Sequence, residues 1–422
     1  MPEVAERSPT VTAPPGARGQ GPQWTLDPSI VFLNHGSFGA CPAAVQAAQA
    51  ELRAALERDP VHFFLREIPP LIDEARTALA EFLGAPADDL VFVRNATTAV
   101  NTVLASLVLE PGDELLTTDH AYNACRNALD EAARRTGARV VVAPIPFPLP
   151  LAGGLEVVLA AVLERVSART RLALLDHVTS STGLVLPIEP LCKALGERGV
   201  ETLVDGAHAP GMVPLDLGRL GATYYTGNCH KWLCAPKGAA FLHVRRERQE
   251  RLRPLVISHG ANTPQPGRSR FQVEFGWTGT DDPTAYACVA VALKHLGAAL
   301  PGSWPALMEH NHALTCTGRR LLCEVLGIAP PCPEEMLGSL AAVPLPDVPA
   351  FPVGATTGTP GSLDRLQEAL YSRYHIEVPV FPWPRGSRTR LLRISAQLYN
   401  RPEHYQYLAR ALAELNAERA PQ

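Results

Sequence analysis

The sequence predicts an α/β fold: a mostly parallel sheet with helices on both faces, followed by a smaller C-terminal α/β domain. Three observations predict it. Short apolar runs alternate with helical stretches over residues 90–244. The most informative polar residues fall just past the ends of those runs. A second helical series, with only two strand-like runs, begins near residue 286. Taken in order, residues 45–83 carry Ala, Leu and charged residues at three- and four-residue spacing, which predicts helix with breaks near Pro60 and at Pro69-Pro70. Strands are predicted at 90–93, 114–117, 139–142, 171–175, 201–204 and 239–244, and helices at 98–109, 124–136, 156–168 and 190–199. Residues 245–282 hold Pro254, Pro264, Pro266 and Gly267, and predict a long surface connection or subunit-contact loop. Helices at 286–296, 310–326, 362–372 and 402–417, with strands near 377–381 and 391–394, complete the second unit. The expected division is a disordered tail over 1–23, a segment over 24–45 packing with the small domain, a large domain over 46–285 and a small domain over 286–422.

Composition bounds the function. Of 422 residues, 46% are hydrophobic, enough for a sizeable core, and 38 basic against 42 acidic residues give a net charge of −4. That balance excludes a broad basic surface, so neither nucleic acid nor an anionic membrane is an expected partner. Nine cysteines are scattered singly, with no C-x-x-C pair. This argues against a disulfide framework or zinc ribbon and predicts a reducing, cytoplasmic setting. The uncharged apolar run over residues 140–155 is broken by four prolines and is too short to span a bilayer. The first 23 residues lack the apolar core of a signal peptide.

Chemistry concentrates at the strand ends, where open parallel sheets bind ligands. Asp205 closes one apolar run and His208 follows it. A buried aspartate there can hold a cation, ligate a metal or cap a helix. The turn Arg94-Asn-Ala-Thr-Thr98 can aim N–H groups and hydroxyls at a phosphate, or be an ordinary threonine-capped helix start. It is not a P-loop, since G-x-x-x-x-G-K-[ST] is absent. Lys231 lies among uncharged and aromatic residues in Tyr224-Tyr-Thr-Gly-Asn-Cys-His-Lys-Trp232. Desolvation lowers a lysine's pKa, and the free amine attacks aldehydes. His230 beside it can reach a phosphate.

Together these pieces meet the needs of pyridoxal 5'-phosphate. Its aldehyde requires a lysine amine, its phosphate several donors, and its ring nitrogen a buried carboxylate to keep a proton in place. An aromatic or imidazole side chain usually grips one ring face. Tyr122 is the candidate for that stack, with His120 as the alternative.

At this point the chain resembles the class V aminotransferase branch of fold-type I pyridoxal phosphate enzymes, and within it the isopenicillin N epimerase-like proteins. The resemblance rests on Phe32-Leu-Asn-His-Gly-Ser-Phe-Gly39, Arg94-Asn-Ala-Thr-Thr-Ala-Val-Asn101, Thr118-Asp-His-Ala-Tyr122 and Asp176-His-Val-Thr-Ser-Ser-Thr-Gly183. It continues through Val204-Asp-Gly-Ala-His-Ala-Pro-Gly211, Asn228-Cys-His-Lys-Trp-Leu-Cys-Ala-Pro-Lys-Gly238, Trp277-Thr-Gly-Thr-Asp-Asp282 and Leu392-Arg-Ile-Ser395. It implies a seven-stranded sheet and the following roles. Lys231 would join the cofactor aldehyde and shuttle protons at the substrate α-carbon. Asp205 would pair with the ring nitrogen, and His208 would face the ring 3-hydroxyl. Ala96, Thr97, Thr98, Asn228 and His230 would surround the phosphate. Thr280 would reach the phosphate of a neighbouring subunit, implying a homodimer with shared active sites. Arg393 would clamp the carboxylate of a small amino-acid substrate. Asn34 and His35 would lie at the substrate entrance. Ser180 would contact the cofactor from a position that is often asparagine in related lyases.

The expected reaction is epimerisation, racemisation or transamination at an amino-acid α-carbon. The alternative is a C–S β-lyase acting on a cysteine-derived substrate. A desulfurase passing sulfur through a cysteine on the loop before Arg393 is disfavoured, because residues 333–393 hold no cysteine. A nucleotide-binding α/β protein without the cofactor leaves the setting of Lys231 unexplained and lacks G-x-G-x-x-G. A metal hydrolase built on His208, His230 and Cys229 lacks ligand spacing, so no metal is expected.

Overall fold

The computed structural model describes residues 24–346, 363–384 and 387–417; the tail expected over 1–23 and the first residue of the helix expected over 362–372 lie outside them. The chain opens with β1 (Val31–Phe32), a single turn α1 (His35–Phe38), α2 (Ala43–Arg58), the turn α3 (Pro60–His62) and α4 (Ile68–Leu83). Pro69 and Pro70 do not interrupt a helix. They sit in the first turn of α4, directly after a π-turn over Phe63–Glu67, where proline's missing N–H costs nothing.

The alternation follows as β2 (Leu90–Val93), α5 (Ala96–Ser106), β3 (Glu114–Thr118), α6 (Asn123–Thr136), β4 (Arg139–Ala143), α7 (Gly154–Leu163) and β5 (Thr170–Asp176). It continues with α8 (Ile188–Gly196), β6 (Glu201–Asp205), α9 (Leu217–Leu220), β7 (Tyr224–Asn228) and β8 (Ala240–Val244). These strands form one seven-stranded sheet in the order β2-β8-β7-β6-β5-β3-β4. β8 runs antiparallel to both neighbours, and the other pairings are parallel. Both faces are covered. Along β5, Leu172 and Leu174 belong to the same core as Val103 of α5 and Leu129 of α6, while Ala173 and Leu175 belong to the core that holds Leu79 of α4 and Leu191 of α8. Alternate side chains of one strand thus enter two cores, as the two-residue period requires.

Strand β7 escapes the apolar-run criterion because Thr226, Gly227 and Asn228 break its hydrophobic pattern, yet all five of its residues are buried. Glycine is required at 227, since a Cβ there would meet the Phe241 ring at 2.7 Å. The connection over 245–282 contains a further helix, α10 (Arg270–Gly276), whose Phe271 and Phe275 enter the core shared with α5 and α6.

Beyond it lie α11 (Thr284–Gly297), packed on α2 and α4, then α12 (Ser303–Leu326), β9 (Leu340–Leu345), α13 (Arg365–Tyr374), β10 (Ile376–Glu377), β11 (Val380–Pro382), β12 (Arg390–Ser395) and α14 (Pro402–Ala417). β11, β12 and β9 form an antiparallel sheet with β12 in the middle. Pro344 is tolerated because β9 is an edge strand. β1 pairs in parallel with β10, and Ser395 N–H donates to the Leu33 carbonyl at 2.9 Å. These two pairings carry α1 against β12.

Gly206 follows Asp205 where the chain leaves β6. A Cβ there would lie 2.3 Å from the Tyr225 hydroxyl, which the His177 Nδ1 holds at 2.8 Å in the buried core. Gly206→Ala is therefore expected to destabilise the protein by about 1–3 kcal/mol, read as a lowered urea midpoint at unchanged slope.

Candidate active site

Lys231 lies in the turn that follows β7. Its Nζ is 2.9 Å from His208 Nε2. Burial, partly offset by Asp205, pulls its pKa down to about 8. At the end of β6, buried Asp205 accepts from the Ala207 N–H at 2.9 Å through Oδ1 and from the Cys125 thiol at 3.1 Å through Oδ2. Burial, and then Asp205, push that thiol well above its usual range, so Cys125 is a donor and not a nucleophile.

Asp176 occupies the equivalent end of β5, in register with Asp205. Both of its oxygens are buried, and a weak backbone hydrogen bond from Tyr122 favours the charged form. Burial first, and Asp205 second, hold its carboxyl well above the carboxylate range. Its carboxyl lies in the same strand-end row as Asp205. That shared position is the signal that sequence reading passes over.

His208 Nδ1 accepts from the Trp232 indole N–H at 3.3 Å. His230 donates from Nδ1 to the Ala239 carbonyl at 2.9 Å, and burial lowers its pKa to about 4. At the start of α5, the Ala96 N–H donates to Asn228 Oδ1 at 2.9 Å. The helix cap is Asn95, not a threonine: its Oδ1 accepts from the Thr98 N–H at 2.8 Å and the Thr98 hydroxyl at 3.0 Å. Thr98 is thereby committed to the cap. The Thr97 N–H belongs to the first turn, which has no intrahelical acceptor.

Arg393, in the middle of β12's buried run, donates to the Ser180 carbonyl, to the Ser37 hydroxyl at 3.0 Å and weakly to Asn34 Oδ1 at 3.5 Å. Among the described residues no acid pairs with it, although it is only 5% exposed. Burial lowers its pKa to about 10, which leaves it fully charged at neutral pH. A buried guanidinium with only neutral partners is a site for an anion. Ser37 has no signal in a linear reading; only the β1–β10 pairing brings it here.

The remaining expected residues separate. Tyr122 is 46% exposed at the head of α6 and interacts electrostatically with Cys125, Asp205 and Arg393. His120 is buried, bonded to Thr182 Oγ1 at 2.8 Å and the Ile145 carbonyl at 2.9 Å, with its ring against Trp383. Asn34 lies beside Arg393, tied to Glu377 at 3.1 Å. His35 is not at an entrance. It is fully buried behind the lysine, accepting from the Tyr399 hydroxyl at 2.9 Å and donating to the Lys231 carbonyl at 3.1 Å. Ser180 meets Arg393. Thr280 stands exposed on the loop between α10 and α11.

Residues 30–316 match the family model for aminotransferase class-V. The chain belongs to this family. Among its relatives, the isopenicillin N epimerase of Streptomyces clavuligerus is 35% identical over 93% of this chain and 96% of its own length. A probable chloroplastic L-cysteine desulfhydrase of Arabidopsis thaliana is 32% identical over 92% of this chain and 83% of its own. A solved structure of the cystine C–S lyase C-DES with cysteine persulfide superposes with a TM-score of 0.75 at 23% identity, covering 93% of this chain and 98% of that one. The fold expected from sequence is therefore the fold of this family. No helix among the described residues is long and apolar enough to cross a membrane, and all nine cysteines are free thiols.

Proposed function

We propose that the chain is a pyridoxal phosphate-dependent enzyme that takes and returns a proton at the α-carbon of a small amino acid, as an epimerase. One observation carries this reading: an amine with its pKa lowered to about 8 interacts with a strand-end aspartate and with a buried arginine whose hydrogen-bond partners among the described residues are all neutral. These groups fit the cofactor. Lys231 supplies the amine, Asp205 the acceptor for a ring N–H, and Thr97, Asn228 and His230 the phosphate end. Tyr122 would cover the ring; the bonds of His120 to Thr182 and the Ile145 carbonyl favour it over His120. When bound, the cofactor supplies an aldehyde for the amine and a ring that accepts electron density from the substrate.

The residues of the chain do the rest. Arg393 fixes the substrate carboxylate with a two-pronged fork, itself held open by Ser180 and Ser37. That grip sets which bond at the α-carbon faces Lys231. Lys231, close to half neutral at pH 8, takes the α-proton from one face as general base, and inversion requires that a proton be delivered to the opposite face. A C–S β-lyase would use the same residues, and the relatives named as L-cysteine desulfhydrases support it as the alternative. Incubation with single amino acids in deuterated water separates the two. Deuterium at the α-carbon with appearance of the opposite enantiomer is the expected result. Pyruvate with released sulfide supports the lyase, and no exchange with any amino acid contradicts both.

The functional unit is a homodimer in the cytoplasm. An apolar groove of about 840 Å³ runs between α4 and α10, lined by Phe64, Leu65, Ile72, Val256 and Trp277. Thr280 adjoins it between lining residues Gly279 and Asp281. A second copy covering this groove would bring Thr280 to its partner's phosphate site. Light scattering should give twice the chain mass of 45.4 kDa; a monomer at assay concentration would refute shared sites.

A further inference from the structure

His208 separates two groups that are neighbours in sequence. Lys231 Nζ lies 2.9 Å from Nε2 of its ring, and Trp232 Nε1 lies 3.3 Å from Nδ1. An indole nitrogen can only donate. Nδ1 therefore carries a lone pair, and in a neutral imidazole the proton sits on Nε2. Neither ring is free to rearrange: Trp232 is 0% and His208 2% exposed, and His35 packs on the Trp232 ring at 4.7 Å. The charged or titratable groups facing His208 are Lys231, Arg393, His35 and His230, none of them acidic. Nothing there favours an imidazolium.

We propose that Trp232 is a positioning residue: its indole N–H locks His208 as the Nε2–H tautomer, so that His208 offers a fixed proton donor to the Lys231 amine. The proposal deepens the reading of the site given above and rests on it only for the cofactor. An Nε2–H can donate to Nζ only when Nζ has a lone pair. An ammonium there would place two donors face to face. The lock thus favours the free amine, the form that attacks an aldehyde. In the other tautomer Nε2 would accept from an ammonium and hold Lys231 in its unreactive form. Besides His208, the titratable groups facing Lys231 are Asp205, Arg393, Asp176 and Cys125. Trp232→Phe alters none of these and keeps an aromatic ring in the core.

The test uses the full-length, cofactor-free protein with ¹⁵N-labelled histidine, His208 being identified by the signal lost in His208→Gln. In the wild type, His208 should show the Nε2–H tautomer. In Trp232→Phe, the Nδ1–H form should appear, and the pH midpoint for the rate of reaction with pyridoxal phosphate should rise from about 8 by roughly one unit, a tenfold loss of free amine. An Nδ1–H or doubly protonated His208 in the wild type overturns the proposal without any variant. So does a Trp232→Phe protein with unchanged tautomer and midpoint. Failure to bind pyridoxal phosphate would sink the functional reading instead, and would leave the tautomer result standing.

Discussion

Lys231→Ala lowers turnover by about 10⁴-fold, the upper range for loss of a positioned general base, and the purified variant holds no covalently attached cofactor. Lys231 is the only lysine whose amine interacts with the strand-end aspartates, and burial, then Lys231, push His208, its hydrogen-bond partner, well below the usual imidazole range. No other amine stands ready to replace it. The same variant carries a stability signature. The folded pKa of Lys231, about 8, lies below its ordinary 10.5. Between those values the unfolded chain binds a proton that the native state does not, so this residue makes stability rise with pH through that window. Below pH 8 the native state bears a desolvated ammonium. Lys231→Ala should therefore be at least as stable as the wild type at pH 7, and the advantage should fade by pH 10.5. Urea titrations at the two pH values check this; a variant markedly less stable at pH 7 would mean that the amine is not disfavoured by its surroundings.

Arg393→Ala is the second large effect. Removing one partner of a buried charge pair costs about 2–5 kcal/mol, which is between about 30-fold and about 4000-fold in kcat/KM. The loss should appear as raised KM for amino acids, with cofactor binding retained, because Arg393 touches Ser180, Ser37 and Asn34 and none of the phosphate-end residues. Arg393→Lys should fall between the two, since it keeps the charge and loses the fork. Discrimination between an amino acid and the corresponding amine should collapse in Arg393→Ala. Equal KM values for wild type and variant would remove Arg393 from the substrate site.

What could be read from the linear sequence follows a physical rule. Asp205 is legible as a charged residue closing an apolar run, and Lys231 as a charged residue within an uncharged, partly aromatic stretch; both placements demand a chemical reason. Asp176 has the same placement, yet its meaning depends on the register that sets it beside Asp205. Register is a tertiary fact. Strand β9 hides behind Ala341, Ala342 and Pro344, whose weak strand preferences are overridden by pairing with β12. Tyr122 and His120 follow the same strand two residues apart, and only the distant partners Thr182 and Ile145 distinguish them. For His35 only the resemblance implies a place, at the substrate entrance, whereas its bonds to the Tyr399 hydroxyl and the Lys231 carbonyl put it behind the lysine. Local chemistry travels well through sequence, and long-range partners do not.

The central claim is that one amine, at residue 231, bonds the cofactor. Reduction with borohydride in the presence of pyridoxal phosphate, followed by peptide mass analysis, tests it directly. The chain has four lysines, at 193, 231, 237 and 294. The account predicts a stable adduct on Lys231, formed at low cofactor concentration and absent from Lys231→Ala. An adduct on Lys193, Lys237 or Lys294 in its place, or no adduct at all, would contradict it.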